Sequence, residues 1–218
     1  MRLLVTLILT LSGAAQAAQV GTISKLTPAQ RHAIVQAGEY QHGCPVGFGQ
    51  LRVLTVPYWG FDRKTHRGQL VVNARDAAGL ERVFLKLHRM RFPIRHMELY
   101  DTYGPPKRAR PADGDFTASF ECRQAASSPC TGNPTGRTGT WSEHAYGQAI
   151  DLNPVENPYV GCGMTRDKTA LSYLDRSRHR RGMVTPAVVR LFASIGWGWG
   201  GSWTGSTKDY MHFSASGH

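Results

Sequence analysis

The sequence predicts an α+β fold: a single domain with a central antiparallel sheet and helices packed on one side. Two periodicities support this class, because apolar residues recur at helical spacing in some segments and alternate as in strands in others. The strand-like runs are short and do not alternate with helices as βαβ units do, which argues against a parallel sheet.

In the first half of the chain, turn and cap residues separate the predicted elements. Thr27 and Pro28 are suited to the start of a helix, and a polar, glycine-containing loop joins two β-rich runs into a hairpin. A helical period then continues until shortly before Pro93. The predicted elements are a helix over Leu26–Gly38, hairpin strands over Leu51–Pro57 and Gln69–Val72, a helix after Asn73, and a strand over Met97–Tyr100.

The second half contains a long stretch without periodicity. Asp101–Glu143 is rich in Gly, Pro, Ser, Thr and Arg, and such long loops in compact domains are often functional. A strand is predicted around Gln148–Leu152 and a helix over Thr185–Ile195, with Pro186 in its first turn. Gly196–Phe213 is predicted to hold a last short strand.

The first residues, MRLLVTLILTLSGAAQA, have the layout of a secretory signal peptide. Arg2 precedes an apolar run, and Ala15 and Ala17 form an A-x-A cleavage site, so the mature chain is expected to start at Ala18. The alternative is a buried N-terminal helix. We expect a secreted, extracytoplasmic protein of the periplasm or cell wall, without stable membrane insertion because the run is too short to span a bilayer.

Four cysteines are an even number, which in an exported chain favours disulfides. Cys122 and Cys130 are close in sequence and flank a loop, so they are the first predicted pair. Cys44–Cys162 follows by elimination. A cysteine zinc site is the alternative, but the chain has no C-x-x-C spacing.

The formal net charge of +11 predicts attraction to polyanions such as nucleic acid, anionic lipid or cell-wall polymers. Basic residues cluster at Lys107–Arg110 and Arg176–Arg181, without a recognisable nucleic-acid module. We therefore expect no nucleic-acid partner. A basic surface that only aids solubility is the alternative interpretation.

The stretch WSEHAYGQAID contains a candidate metal-binding pair, His144 and Asp151. Strand alternation places Ala149 and Asp151 on one face and Ile150 on the core face. A buried aspartate needs a partner such as a metal ion, and Gly147 permits a bend that brings His144 over the same face. Alone, His144 would be interpreted as a hydrogen-bonded loop histidine and Asp151 as a salt-bridge partner.

The second stretch, DYMHF, adds Asp209 and His212. Alternation predicts that Met211 and Phe213 point inward and His212 to the opposite face, with Asp209 aimed from a turn just before the strand. Two imidazoles and one carboxylate suit zinc (Zn2+) with one position left for water, and Asp209 would be a base beside that water. The alternative for Asp209 is a turn residue. The helical H-E-x-x-H motif is absent.

These residues resemble the zinc metallopeptidases related to D-Ala-D-Ala carboxypeptidases, which include D-Ala-D-Ala dipeptidases and phage L-alanyl-D-glutamate endolysins. The later D-x-x-H at Asp209 and His212 matches the family's acid-x-x-His, and RFPI, FECR, DLNPVENPYV and GWGWGGSW are similar to its other motifs. The first motif, S-x-H-x-x-G-x-A-x-D, is matched by Ser142, His144, Gly147, Ala149 and Asp151.

The resemblance implies a peptidase domain over residues 44–218, after an N-terminal segment over residues 18–43. Its implied activity is hydrolysis of peptidoglycan stem peptides, by a monomer. The implied roles are zinc ligation by His144, Asp151 and His212, general-base catalysis by Asp209, oxyanion stabilisation and substrate contact by Arg123, and substrate contact by Ser142.

One departure affects the expected specificity. Many family carboxypeptidases have E-x-W-H where this chain has D-Y-M-H, and aspartate is typical of the endolysin-like branch. The scissile bond is therefore either the terminal D-Ala–D-Ala bond or an internal stem bond. The alternative function is a non-catalytic wall-binding module of the same fold. His218 is among the histidines that have no ligand-like neighbours in sequence.

Overall fold

The computed structural model describes residues 20–99, 114–131 and 137–218. The predicted signal peptide and the Lys107–Arg110 cluster lie outside these residues. The described part is a mixed helix and sheet structure in which strands pair mainly in antiparallel fashion, so the α+β class is confirmed. None of the helices within these three ranges is long and apolar enough to cross a membrane.

Three α-helices and eleven strands form the described part of the chain. The helices are α1 (Pro28–Gln36), α2 (Ala77–Arg89) and α3 (Pro186–Ala193). The strands are β1 (Thr22–Ser24), β2 (Leu51–Gly60), β3 (Thr65–Asn73), β4 (Pro93–Ile94), β5 (Gln124–Ala126), β6 (Arg137–Trp141), β7 (Ala149–Asp151), β8 (Tyr159–Gly161), β9 (Gly198–Trp199), β10 (Thr207–Asp209) and β11 (His212–Ser214). Short 3-10 helices cover Phe48–Gln50, Pro129–Thr131, Glu143–Tyr146, Lys168–Tyr173 and Gly200–Ser202.

The predicted hairpin is confirmed as β2 and β3, which pair over their whole length and are the longest strands described. Alternation along β2 buries both faces. Leu54 and Val56 belong to the larger apolar cluster with α2 and α3, whereas Val53 belongs to a second cluster with Ile34 of α1. The helices therefore cover both faces of the hairpin, and the prediction of helices on one side is wrong.

The predicted central sheet carrying the site is replaced by several small sheets. β1, β2, β3 and β4 form a four-stranded sheet in which β4 pairs parallel with β2. A separate three-stranded sheet has the order β7-β11-β9, and it carries two of the candidate ligands, Asp151 on β7 and His212 on β11. The two sheets share the larger cluster, where Ile150 of β7 and Phe213 of β11 lie beside Leu54 and Val72.

The helix boundaries follow from their caps. Thr27 and Gln30 form a capping box at α1, and Thr185 accepts a hydrogen bond from Val188 N at the start of α3. The prediction of a strand at Met97–Tyr100 is wrong for residues 97–99, which the structure describes. The strand in this region lies earlier, at Pro93–Ile94. Met97 is instead buried against Gly68, where an added Cβ would lie 2.5 Å from the methionine Cε.

The disulfides are Cys44–Cys122 and Cys130–Cys162, so the predicted pairing of Cys122 with Cys130 and of Cys44 with Cys162 is wrong. Main-chain contacts explain the difference. Cys122 N donates to Glu39 O at 2.8 Å, which brings Cys122 beside the segment that carries Cys44. Cys130 lies against Gly161, next to Cys162: a Cβ on Gly161 would be 2.9 Å from Cys130 N.

A buried ionic cluster holds the loop that follows β7. Asp115 and Glu156 are fully buried, and Arg95 donates to both carboxylates at 2.9 and 2.8 Å. Asp115 Oδ1 also accepts from Val155 N at 3.0 Å. Burial, together with the neighbouring Glu156, raises the pKa of Asp115 to about 8.

The arginines of the Arg176–Arg181 cluster are partly used inside the fold. Arg176 donates to Glu156 O at 2.7 Å and to Asn157 Oδ1 at 3.1 Å. Arg181 donates to Phe61 O at 2.8 Å. These two side chains therefore stabilise loops, so a polyanion partner is not needed to explain their presence in the basic cluster.

Candidate metal centre

Strand pairing places Asp151 and His212 together. β7 and β11 are antiparallel, and Asp151 is the direct register partner of His212. Directly opposed residues project from the same face of a sheet. The His212 Nδ1 atom lies 3.2 Å from Asp151 Oδ1, and both residues are buried. The predicted alternation is confirmed for Ile150 and Phe213, which are fully buried in the core below.

His144 reaches the same point through a short 3-10 helix with defined ends. Ser142 is its N-cap, and its side chain accepts from His144 N at 3.3 Å. Gly147 ends the helix in the left-handed region at φ 66° and ψ 26°, as the glycine was predicted to do. Gly147 O accepts from Asn73 N at 2.8 Å, which ties this turn to β3. His144 Nε2 then lies 3.2 Å from Asp151 Oδ2.

In each imidazole, the ring nitrogen that faces away from Asp151 lies within hydrogen-bond distance of a main-chain oxygen. His144 Nδ1 lies 2.5 Å from Ser119 O, and His212 Nε2 lies 3.2 Å from His218 O. A main-chain oxygen only accepts hydrogen bonds, so these two nitrogens carry the protons. In the neutral imidazoles, His144 Nε2 and His212 Nδ1 are therefore lone-pair donors, and both point at the Asp151 carboxylate.

Three electron-pair donors facing one another repel unless a cation lies between them. His144 Nε2 is buried and has no hydrogen-bond partner within the described ranges. The ligand atoms of His144, Asp151 and His212 all lie within 4.8 Å of one another. Tetrahedral zinc with bonds of about 2.0–2.1 Å places its donors roughly 3.3 Å apart. Each imidazole nitrogen lies 3.2 Å from a carboxylate oxygen of Asp151, Oδ2 for His144 and Oδ1 for His212. The residues therefore fit a zinc ion.

The charges at the cluster point the same way. Burial opposes ionisation of Asp151, but the attraction of His144 and then of His212, each 3.2 Å away, holds the pKa of Asp151 well below its usual range. Burial likewise opposes a charged His212, yet its bond to Asp151 raises the pKa of His212. Without a metal ion, the anionic Asp151 therefore favours a proton on His212, and a cation bound at the cluster would take the place of that proton.

Asp209 lies on the neighbouring strand pair and faces the same cavity. It ends β10, opposite Tyr159 of β8, rather than lying in a turn before the last strand. Its Oδ1 is shielded from water and has no hydrogen-bond partner among the described residues. Gly200 permits this position, because a Cβ there would lie 2.9 Å from Asp209 Cβ. Burial, followed by the charge of Asp151, raises the pKa of Asp209 to about 7.

An open cavity of about 720 Å³ contains all the candidate side chains. Its lining includes the three candidate ligands together with Asp209, Arg123 and Ser142. Arg123 Nε donates to Glu121 Oε2 at 2.7 Å, which orients the guanidinium at the cavity wall. Met211, predicted to point into the core, lines this cavity instead, because β11 begins only at His212.

Some residues of the site were not predicted from the sequence. Ser119 and His218 contribute main-chain oxygens, so their side chains give no signal. His218 also lines the cavity, in contrast to its exclusion on sequence grounds. Glu121 was detectable in principle, since it lies two residues before Arg123 within the FECR motif.

Comparison with known families supports the resemblance seen in the sequence. Residues 135–215 match the family model described as D-alanyl-D-alanine carboxypeptidase. This segment includes Ser142, all three candidate ligands and Asp209. The resemblance to this zinc peptidase family is therefore confirmed over these residues. No curated protein and no solved structure matches the chain significantly.

Proposed function

We propose that the protein is a zinc-dependent peptidase that hydrolyses peptide bonds in peptidoglycan stem peptides. One observation carries the proposal: three lone-pair donors converge on one buried point, and the same cavity holds an arginine and the Asp209 carboxylate, whose Oδ1 has no partner among the described residues. The family match to a peptidase over residues 135–215 supports the reaction class and the substrate. We also propose that the protein is secreted, is a monomer and acts on the cell wall outside the cytoplasm.

In this proposal His144, Asp151 and His212 hold the zinc ion. Bound zinc would supply Lewis acidity and lower the pKa of a water molecule toward neutrality. Ser119 O and His218 O keep the imidazole protons on the nitrogens that face away from Asp151. Ser142 caps the 3-10 helix that carries His144, and its position at the cavity also allows contact with a substrate.

Asp209 is the proposed general base and acid. Its Oδ1 is desolvated and unpartnered in the described structure, so it is available to take the proton of the attacking water. It then gives that proton to the departing amine when the peptide bond breaks. A pKa near neutrality, raised by burial, suits both transfers at physiological pH.

Arg123 is the proposed contact for negative charge on the substrate. Its guanidinium is half-buried and oriented by Glu121 at the cavity wall. In this position it stabilises the oxyanion that develops on the attacked carbonyl, or binds a carboxylate of the stem peptide. The remaining cavity surface includes Trp141, Tyr159 and Trp203, which would contact the apolar parts of the peptide.

The test is digestion of purified peptidoglycan by the disulfide-bonded protein, with released fragments identified by mass. Chelation should abolish cleavage and added zinc should restore it. Loss of a terminal D-alanine indicates a carboxypeptidase, whereas cleavage after L-alanine indicates an endopeptidase. Binding to peptidoglycan without fragment release would instead support the non-catalytic wall-binding module.

The role of Asp209 is tested with Asp209→Asn. Because asparagine is nearly isosteric, zinc content and fold should remain while turnover falls by about a hundred- to ten-thousand-fold. Asp151→Asn should instead lower zinc content, and Asp175→Asn is the matched control because Asp175 is exposed and bonds only its own turn at Ser177. A zinc-loaded Asp209→Asn protein with near-normal rate would exclude the proposed base.

A further inference from the structure

The segment after β11 lies directly against the candidate metal centre. We call Ala215–His218 the strap. The main-chain oxygen of His218 lies within hydrogen-bond distance of three donors: Ser214 Oγ at 2.9 Å, His212 Nε2 at 3.2 Å and Ser216 Oγ at 3.3 Å. One of these donors belongs to a candidate zinc ligand, so the strap touches the site through its main chain.

Contacts from three directions hold the strap in place. Trp203 Nε1 donates to Gly217 O at 2.6 Å, and the indole stacks on the His218 ring with centroids 6.4 Å apart. Ala215 N donates to Gln148 O at 3.0 Å. Gly198 of β9 permits the close approach, because an added Cβ would lie 2.6 Å from Gly217 Cα. The position of the His218 oxygen is therefore defined by packing.

We propose that the strap positions His212 for metal binding, an inference that rests on the proposed function. The His218 oxygen accepts the Nε2 proton, which fixes the tautomer and leaves the Nδ1 lone pair facing Asp151. It also restrains the ring plane, since the bond resists rotation of the imidazole. The group that accepts this proton is a main-chain oxygen, and the His218 side chain adds only its stacking on Trp203. Loss of such a partner typically weakens metal affinity by about 10- to 100-fold.

Two variants separate the oxygen from the side chain. A chain ending at Gly217 loses the His218 oxygen, whereas His218→Ala keeps the main chain and loses only the imidazole. Zinc affinity of the metal-free protein is measured by competition with a coloured chelator, and the spectrum of the cobalt-substituted protein reports ligand geometry. We expect about 10- to 100-fold weaker zinc binding and an altered cobalt spectrum for the truncated chain. His218→Ala should bind zinc like the wild type.

A third variant tests the same contact in the full-length chain, in case the truncated chain does not fold. Trp203→Phe keeps an aromatic ring beside His212, whose ring centroid lies 5.8 Å from that of Trp203, but removes the N–H that holds Gly217. It should therefore weaken zinc binding while the metal-free protein unfolds at nearly the same denaturant concentration. Trp59→Phe is the matched control, because Trp59 lies in β2 beneath Arg91 and has no contact with the strap. It should leave zinc affinity unchanged.

The outcomes distinguish the positioning role of the strap from the proposed zinc site itself. Equal zinc affinity in the wild type, the truncated chain and Trp203→Phe would overturn the inference and leave the proposed function standing. Equal losses in His218→Ala and the truncated chain would also overturn it, because the side chain would then be responsible. Absence of zinc binding by the wild type would instead remove the proposed function itself.

Discussion

Replacing Gly147 by alanine should destabilise the fold and the metal centre together. The left-handed backbone of Gly147, at φ 66°, costs a residue with a Cβ about 1–2 kcal/mol. The new Cβ would also lie 2.8 Å from Asn73 N and 3.0 Å from Leu51 Cδ2, both in the paired β2–β3 hairpin. Overpacking of this kind costs about 1–3 kcal/mol, so the total loss is about 2–5 kcal/mol.

Gly163→Ala separates backbone strain from packing. Gly163 also has positive φ, at 74°, but an added Cβ there has nothing within 4 Å, so only about 1–2 kcal/mol is expected. Guanidinium unfolding in the presence of a chelator measures both losses, and zinc competition measures the effect on His144. Equal losses in the two variants would refute the packing argument. Full zinc affinity in Gly147→Ala would refute the link between this turn and the metal centre.

Two further predictions concern stability. Peptide mapping should find Cys44 joined to Cys122 and Cys130 joined to Cys162, and any other pairing would contradict the structure. Removing the Cys44–Cys122 pair, which spans 78 residues, should lower the free energy of unfolding by up to about 4 kcal/mol. For Asp115, whose pKa is raised to about 8, the folded protein keeps a proton that the unfolded chain releases from about pH 4 upward. The free energy of unfolding contributed by this group should therefore fall as pH rises through pH 4–8, and Asp115→Asn should flatten this dependence; parallel curves for the wild type and the variant would contradict it.

The convergence of the three candidate ligands was predictable because each piece of the cluster is local. Strand alternation assigns a face to Asp151 and to His212, and a glycine at a bend indicates where His144 returns to that face. The direct register of Asp151 with His212 then brings the two pieces together. Alternation failed at Met211, because that residue lies before the strand begins and its direction is not set by the pleat.

Non-local contacts explain what the sequence did not predict. The disulfide pairing depends on which segments lie side by side, and proximity in sequence misled for Cys122 and Cys130. The division into several small sheets follows from the pairing of β11 with both β7 and β9, which periodicity cannot assign. The contact of His218 with His212 is made by its main-chain oxygen, and side-chain patterns in the sequence cannot indicate such a contact.

The Cys130–Cys162 disulfide joins the segment that follows β5 to the residue that follows β8. β5 and Tyr159 of β8 line the cavity, and β10, the partner strand of β8, carries Asp209. None of the three candidate metal ligands lies on the segments that it links. The disulfide therefore braces the part of the cavity near Asp209, while strand pairing and the Gly147 turn position the candidate ligands. We expect reduction of this one bond to loosen the cavity near Asp209 more than the ligand cluster.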